Sequence, residues 1–157
     1  MEINWNAISA IASSVSALAV ILAMLQLRLA KRVSQLQFED GLAKEYRDLT
    51  NRLPTKILLG ARLSRDEYKS TFDELFHYID LSNEQCMLRS QGRVGRDVWK
   101  SWSEGIEVNL KLQAFSETWN DIKGRTESFQ ELRELEKNFK KDPYSGGLLA
   151  WFKTGNW

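Results

Sequence analysis

Residues 7–27 read AISAIASSVSALAVILAMLQL, a run with no charged side chain and a single amide, Gln26, near its end. A helix of that length rises roughly 30 Å at 1.5 Å per residue, about the thickness of a bilayer's hydrocarbon layer. A membrane-spanning helix is therefore expected. A buried core helix is the soluble alternative, but such helices are usually shorter and carry a polar stripe. A secretory signal fits less well, because MEINWN before the run holds Glu2 and no Lys or Arg, whereas signals begin with positive charge.

The flanks set an orientation. Arg28, Lys31 and Arg32 follow the run, and the side richer in Lys and Arg normally stays in the cytoplasm. The expected topology is N-terminus outside, with Trp5 as an interfacial anchor and the remainder cytoplasmic. Residues 1–30 then form the anchor, and residues 31–157 a cytoplasmic α-helical domain ending in an aromatic tail. In a bacterium this places the chain in the inner membrane.

Within the run, Asn6, Ser9, Ser13 and Ser16 recur at three- and four-residue spacing, with Ala10 and Ala17 beside them. Small residues let helices approach closely in lipid, where the hydrophobic effect supplies no drive for association. This face is the candidate surface for homo-oligomerisation and for lining a pore. The alternative is that Ala and Ser are simply tolerated in an isolated anchor.

Beyond the run, Leu29, Val33, Leu36, Leu42, Tyr46, Leu49 and Leu53 keep a helical period through Gly41 until Pro54 stops it. TKILLGARL follows. Ser64-Arg65-Asp66-Glu67 then forms a capping-box signature, predicting a helix over 65–90 with Tyr68, Phe72, Leu75, Ile79, Asn83 and Cys86 along one stripe and Gly92 as its stop. Val98, Trp102, Ile106 and Leu110 predict an inward face for the next helix, with Trp99 flanking it. Phe115, Trp119 and Ile122 mark another, ended by Gly124, and Thr126 is expected to cap a last one carrying Phe129, Leu132, Leu135 and Phe139. No alternating strand pattern occurs, so the fold class is all-α: a transmembrane helix continuing into a helical bundle. The tail DPYSGGLLAWFKTGNW, 142–157, breaks helix and then supplies apolar mass that is expected to dock on protein.

Composition narrows the chemistry. The chain has 22 basic and 21 acidic residues, one cysteine and one histidine. A net charge of +1 gives no bulk pull toward nucleic acid, and Cys86 with His77 alone cannot make a disulfide framework or a Cys/His zinc site within one chain. No cofactor is implied. Asn83 on an apolar stripe needs hydrogen-bond partners, and Glu84 beside it can reach Arg89, Arg93 or Arg96. Asn83, Glu84, Arg89 and Arg93 are expected to form a structural polar network, the sharper alternative being a ligand site. Arg96 and Lys100, near Trp99 and Trp102, are the candidate surface for RNA or a partner. His77 has Asp73, Glu74 and Asp80 near it but no nucleophile, and G-R-V-G at 92–95 lacks the spacing of a phosphate loop.

The segment HYIDLSNEQCMLRSQGRVGRDVWKSWSEGIEVNL, 77–110, followed by FSETW, resembles a group of small bacterial single-pass proteins with a helical cytoplasmic part. The shared pattern is Y-x-x-L-x-N-E-x-x-x-L-R-x-x-G-R-[IV] and then W-x-x-W-x-x-G-I. It is carried here by Tyr78, Leu81, Asn83, Glu84, Leu88, Arg89, Gly92, Arg93, Val94, Trp99, Trp102, Gly105 and Ile106. The layout is similar to the membrane accessory proteins of type VI-B CRISPR systems. That resemblance implies a divergent HEPN-like helical domain, a ring-shaped homo-oligomer whose anchors surround a pore, and membrane depolarisation in antiviral defence, with a CRISPR effector or its RNA as partner. The R-x-x-x-x-H signature of ribonuclease HEPN domains is absent, since Phe72 stands five residues before His77, so no enzyme activity is expected. The alternative function is a membrane-tethered scaffold for a cytoplasmic partner; a membrane-bound ribonuclease comes last.

Overall fold

The computed structural model describes residues 5–144, with side chains from residue 13 onward. Every regular element among the described residues is helical: α1 (Trp5–Arg52), α2 (Thr55–Leu58), α3 (Arg65–Ser90), α4 (Arg96–Leu110), α5 (Gln113–Arg125) and α6 (Gln130–Lys137). The chain divides into two compact units, Met1–Phe38 and Glu39–Trp157, later than the 30/31 boundary that the end of the apolar run suggests.

The first unit is the leading part of α1, a 48-residue helix. The helix continues across Gly41, whose missing Cβ would meet open space, and ends where Pro54 lacks the N–H to continue it.

The second unit is a bundle built on α3, which packs against α5 and α6, while α4 packs against α5. Its core joins Leu42, Leu49 and Leu53 of α1 to Leu75, Ile79 and Leu88 of α3, Ile106 and Leu110 of α4, Phe115, Trp119 and Ile122 of α5, and Leu132 and Leu135 of α6. The rings of Tyr78 and Phe115 meet edge to face with centroids 4.7 Å apart, geometry favoured by the aromatic quadrupole.

Helix α3 begins and ends as its sequence dictates. The Ser64 hydroxyl accepts from the Glu67 N–H while the Glu67 carboxylate accepts from the Ser64 N–H at 2.9 Å, a complete capping box. Lys56 also reaches that carboxylate. Its hydrogen bond, then those from Ser64, hold the Glu67 carboxyl down to about 2. Ser64→Ala is expected to cost about 1 kcal/mol in urea unfolding and to weaken the acid sensitivity that Glu67 contributes. At the other end the Arg93 N–H donates to the Leu88 carbonyl (3.0 Å) and the Gly92 N–H to that of Arg89 (2.9 Å), a Schellman turn. Gly92 takes the positive φ of 71° that this turn requires.

Two local expectations are corrected. On α4 the inward face holds Trp99, Ser103, Ile106 and Leu110, while Val98 and Trp102 are half-exposed. Thr126 does not cap the last helix. Its side chain accepts from the Ser128 N–H in a short turn, and α6 starts only after Phe129, which adopts φ 65°, ψ 39°. That left-handed backbone costs a non-glycine residue about 1–2 kcal/mol. It is held because the Phe129 ring stands edge-on to Phe76 and Trp119, at 5.9 and 6.2 Å, and Arg133 gathers the loop carbonyls of Thr126 and Ser128.

Candidate functional site

The leading part of α1 carries the first candidate surface. It holds a stretch long and apolar enough to cross a membrane, with mean hydropathy 1.7 and none of it buried. Leu22 is 51% and Leu27 72% exposed. Ser13, Ser16 and Ala17 are exposed on this helix. Asn6, Ser9 and Ala10 belong to α1 by backbone, and their side chains lie outside the described set. Arg28, Lys31 and Arg32 follow, all exposed.

The second candidate lies at the end of α3, where the structure redistributes the expected network. Arg89 is 4% exposed. Its Nε donates to Asp142 Oδ1 at 2.8 Å and its Nη2 to Oδ2 at 2.5 Å, while Nη1 donates to the Val94 carbonyl at 2.6 Å. The guanidinium also stands 5.0 Å from the Tyr144 ring centre. This planar fork uses the donor geometry that distinguishes arginine from lysine. Its counter-charge is thus Asp142 and not Glu84, which is exposed and one turn away. Partial burial pushes the Asp142 carboxyl up, but hydrogen bonds from Arg89 and the Tyr144 N–H, with the charges of Arg89 and Arg96, outweigh it and leave it below the usual carboxylate range. Asn83 is half-buried, and its Oδ1 accepts from the Leu132 N–H at 3.0 Å, tying α3 to the first turn of α6. Arg93 is exposed.

The candidate RNA surface keeps its charges and loses one of its rings. Arg96 and Lys100 are exposed, but Trp99 is 4% exposed and offers no face for a base to stack upon. Trp102 remains half-exposed.

His77 borders an open groove of about 410 Å³ with Asp80 and Glu84 of α3, facing Lys44, Glu45, Asp48 and Arg52 of α1. Among the described residues no group of three or more His, Cys, Asp or Glu is arranged to hold a metal. Burial pushes the Cys86 thiol up to about 12, with the Glu131 charge adding to it, so at neutral pH this cysteine is a small apolar filler and not a nucleophile.

Two residues escape sequence reasoning. Asp142 follows Lys140 and Lys141 and precedes a proline, so nothing local marks it as the partner of a residue 53 positions earlier. Glu39 is buried, and its Oε1 accepts from the Gly95 N–H at 2.6 Å, placing a carboxylate at the positive N-terminus of α4. A signal for Glu39 exists in retrospect: it shares the helical face of Leu42, Leu49 and Leu53, where an acid needs a donor.

No protein-family model and no solved structure matches the chain. An uncharacterised protein of Aquifex aeolicus is similar, 28% identical over 98 residues, a stretch that makes up 62% of this chain and 29% of that protein.

Proposed function

We propose that this chain is a single-pass membrane protein acting as a homo-oligomer that perturbs or depolarises the membrane, its anchors assembled through Asn6, Ser9, Ala10, Ser13, Ser16 and Ala17. The observation that supports this reading best is an apolar helical stretch of spanning length with no residue buried, in the same chain as a well-packed helical bundle. One apolar helix cannot enclose water, so conduction needs several copies and a polar lining, which the Asn and Ser side chains would supply. The bundle would lie in the cytoplasm, on the side of Arg28, Lys31 and Arg32. The resemblance to membrane accessory proteins of type VI-B CRISPR systems supports a place in bacterial antiviral defence, with a CRISPR effector or its RNA as a partner, and a role without catalysis.

Ser13→Leu tests this reading. Ser13 is exposed, so the substitution leaves the bundle core untouched, while it places a bulky group where helices would meet. The expected result is that wild-type protein in mild detergent runs as a large closed assembly and releases ions from vesicles, whereas Ser13→Leu runs as a smaller species and releases none. A wild-type monomer in mild detergent contradicts the proposal.

A further inference from the structure

A second groove lies in the helical bundle, lined by Tyr46 of α1, Tyr78 and Gln85 of α3, and Trp102, Gly105 and Ile106 of α4. Its volume is about 390 Å³, within the range of pockets that bury small ligands. Most of its lining is apolar or aromatic, with Arg47, Gln85 and Ser101 as the polar residues. Trp102 is half-exposed here and Tyr46 exposed, both presenting apolar ring surface.

Gly105 lies on the groove's α4 wall. A glycine inside a helix costs about 1 kcal/mol relative to alanine. Here a Cβ would meet nothing within 4 Å. Packing within the described residues therefore does not require glycine. The missing side chain leaves depth on the groove's α4 wall.

The described chain ends at Tyr144. Tyr144 lies against Arg89, and Asp142 is clamped by it. Arg89 is one turn along α3 from Gln85 of the groove, roughly 6 Å of helix rise. The next apolar residues are Leu148, Leu149, Trp151 and Phe152. Extended chain covers about 3.3 Å per residue, so the four steps from Tyr144 to Leu148 span up to about 13 Å. The two glycines at 146 and 147 permit a sharp change of direction on the way.

We infer that this groove is the docking site of the chain's own segment Leu148–Phe152, with the Arg89–Asp142 clamp fixing where that segment starts. The occupant is the same copy, because the clamp holds residue 144 within reach of the groove and makes the encounter intramolecular, which raises the effective concentration. This inference does not depend on the membrane reading, since every residue it uses lies in the second unit.

The test uses the full chain with p-benzoylphenylalanine in place of Trp151, irradiated and analysed by mass spectrometry on a mixture of isotope-labelled and unlabelled copies. The expected product is an adduct within one copy to residues 101–106 of α4 or 43–47 of α1. Gly105→Leu, which fills the groove, is expected to cut its yield about tenfold, equivalent to 1.4 kcal/mol. Gly105→Ala, which fits the open space and favours helix, keeps the bundle folded and lowers the yield less. A circular dichroism melt at or above the wild-type midpoint for Gly105→Ala separates lost docking from lost folding. Adducts between labelled and unlabelled copies, adducts outside the groove, or a yield unchanged by Gly105→Leu would each overturn the inference.

Discussion

Arg89→Ala is expected to lower the unfolding free energy of the helical bundle by about 3 kcal/mol, the lower end of the range for breaking a buried ion pair. The guanidinium is 4% exposed and satisfies both Asp142 oxygens and the Val94 carbonyl at once. Removing it strands that carbonyl and frees the segment around Tyr144. The Asp142 side chain is 36% exposed, so water can re-solvate its charge, and this keeps the loss from the upper end of the range. Arg89→Lys is expected to recover less than half, because a point charge cannot match two carboxylate oxygens and a carbonyl together. Urea unfolding followed by circular dichroism measures both, and a loss below about 1 kcal/mol for Arg89→Ala would show that the clamp is not holding the segment.

The same pair sets an acid limit. Asp142 is held below its ordinary value in the folded chain, so its contribution is fully present above the unfolded carboxylate value near pH ~4 and is lost as pH falls through the lower folded value. Glu67 acts in the same direction, with its folded value near 2. Stability is therefore expected to fall between about pH 4 and pH 2, and Arg89→Ala is expected to flatten that limb by removing the interaction that depresses Asp142.

The second large effect concerns the exposed helix. Leu22→Arg is expected to shift the chain from membrane to aqueous fraction by about 100-fold, since a charge at mid-bilayer costs about 2.5–3.5 kcal/mol on insertion scales. Leu22 sits near the middle of the run 7–27 and is half-exposed, so the change removes no core contact of the bundle. Leu27→Arg, at the edge of the run beside Arg28, is expected to do far less, because a long basic side chain there can snorkel to the interface. Equal behaviour of the two variants would mean that depth in a bilayer is not what these positions sense.

The helices were legible wherever the deciding interaction is local. Ser64 and Glu67 are three residues apart, Gly92 closes its own turn, and Pro54 breaks α1 by lacking an N–H, so the bounds of α3 and the end of α1 could be read directly. What was not legible depends on contacts distant in sequence. Phe129 takes a left-handed backbone because Phe76 and Trp119 hold its ring, and no propensity of Thr126 reveals that. The inward turn of Trp99 in place of Trp102 is a small rotation of α4, which packs against α5. Arg89 was readable as a member of a polar network on α3, but its partner was not, since Asp142 lies 53 positions away and reaches it only across α4, α5 and α6. The long apolar helix was readable from composition alone. The aromatic residues beyond Tyr144 lie outside the described residues.

The most direct measurement follows the full-length chain through cell fractionation, with the membranes washed in alkaline carbonate. An apolar helix solvated by lipid keeps the chain in the washed membrane pellet, and only detergent releases it. Recovery of a folded, monomeric chain in the soluble fraction, before or after the wash, would contradict the account at its root.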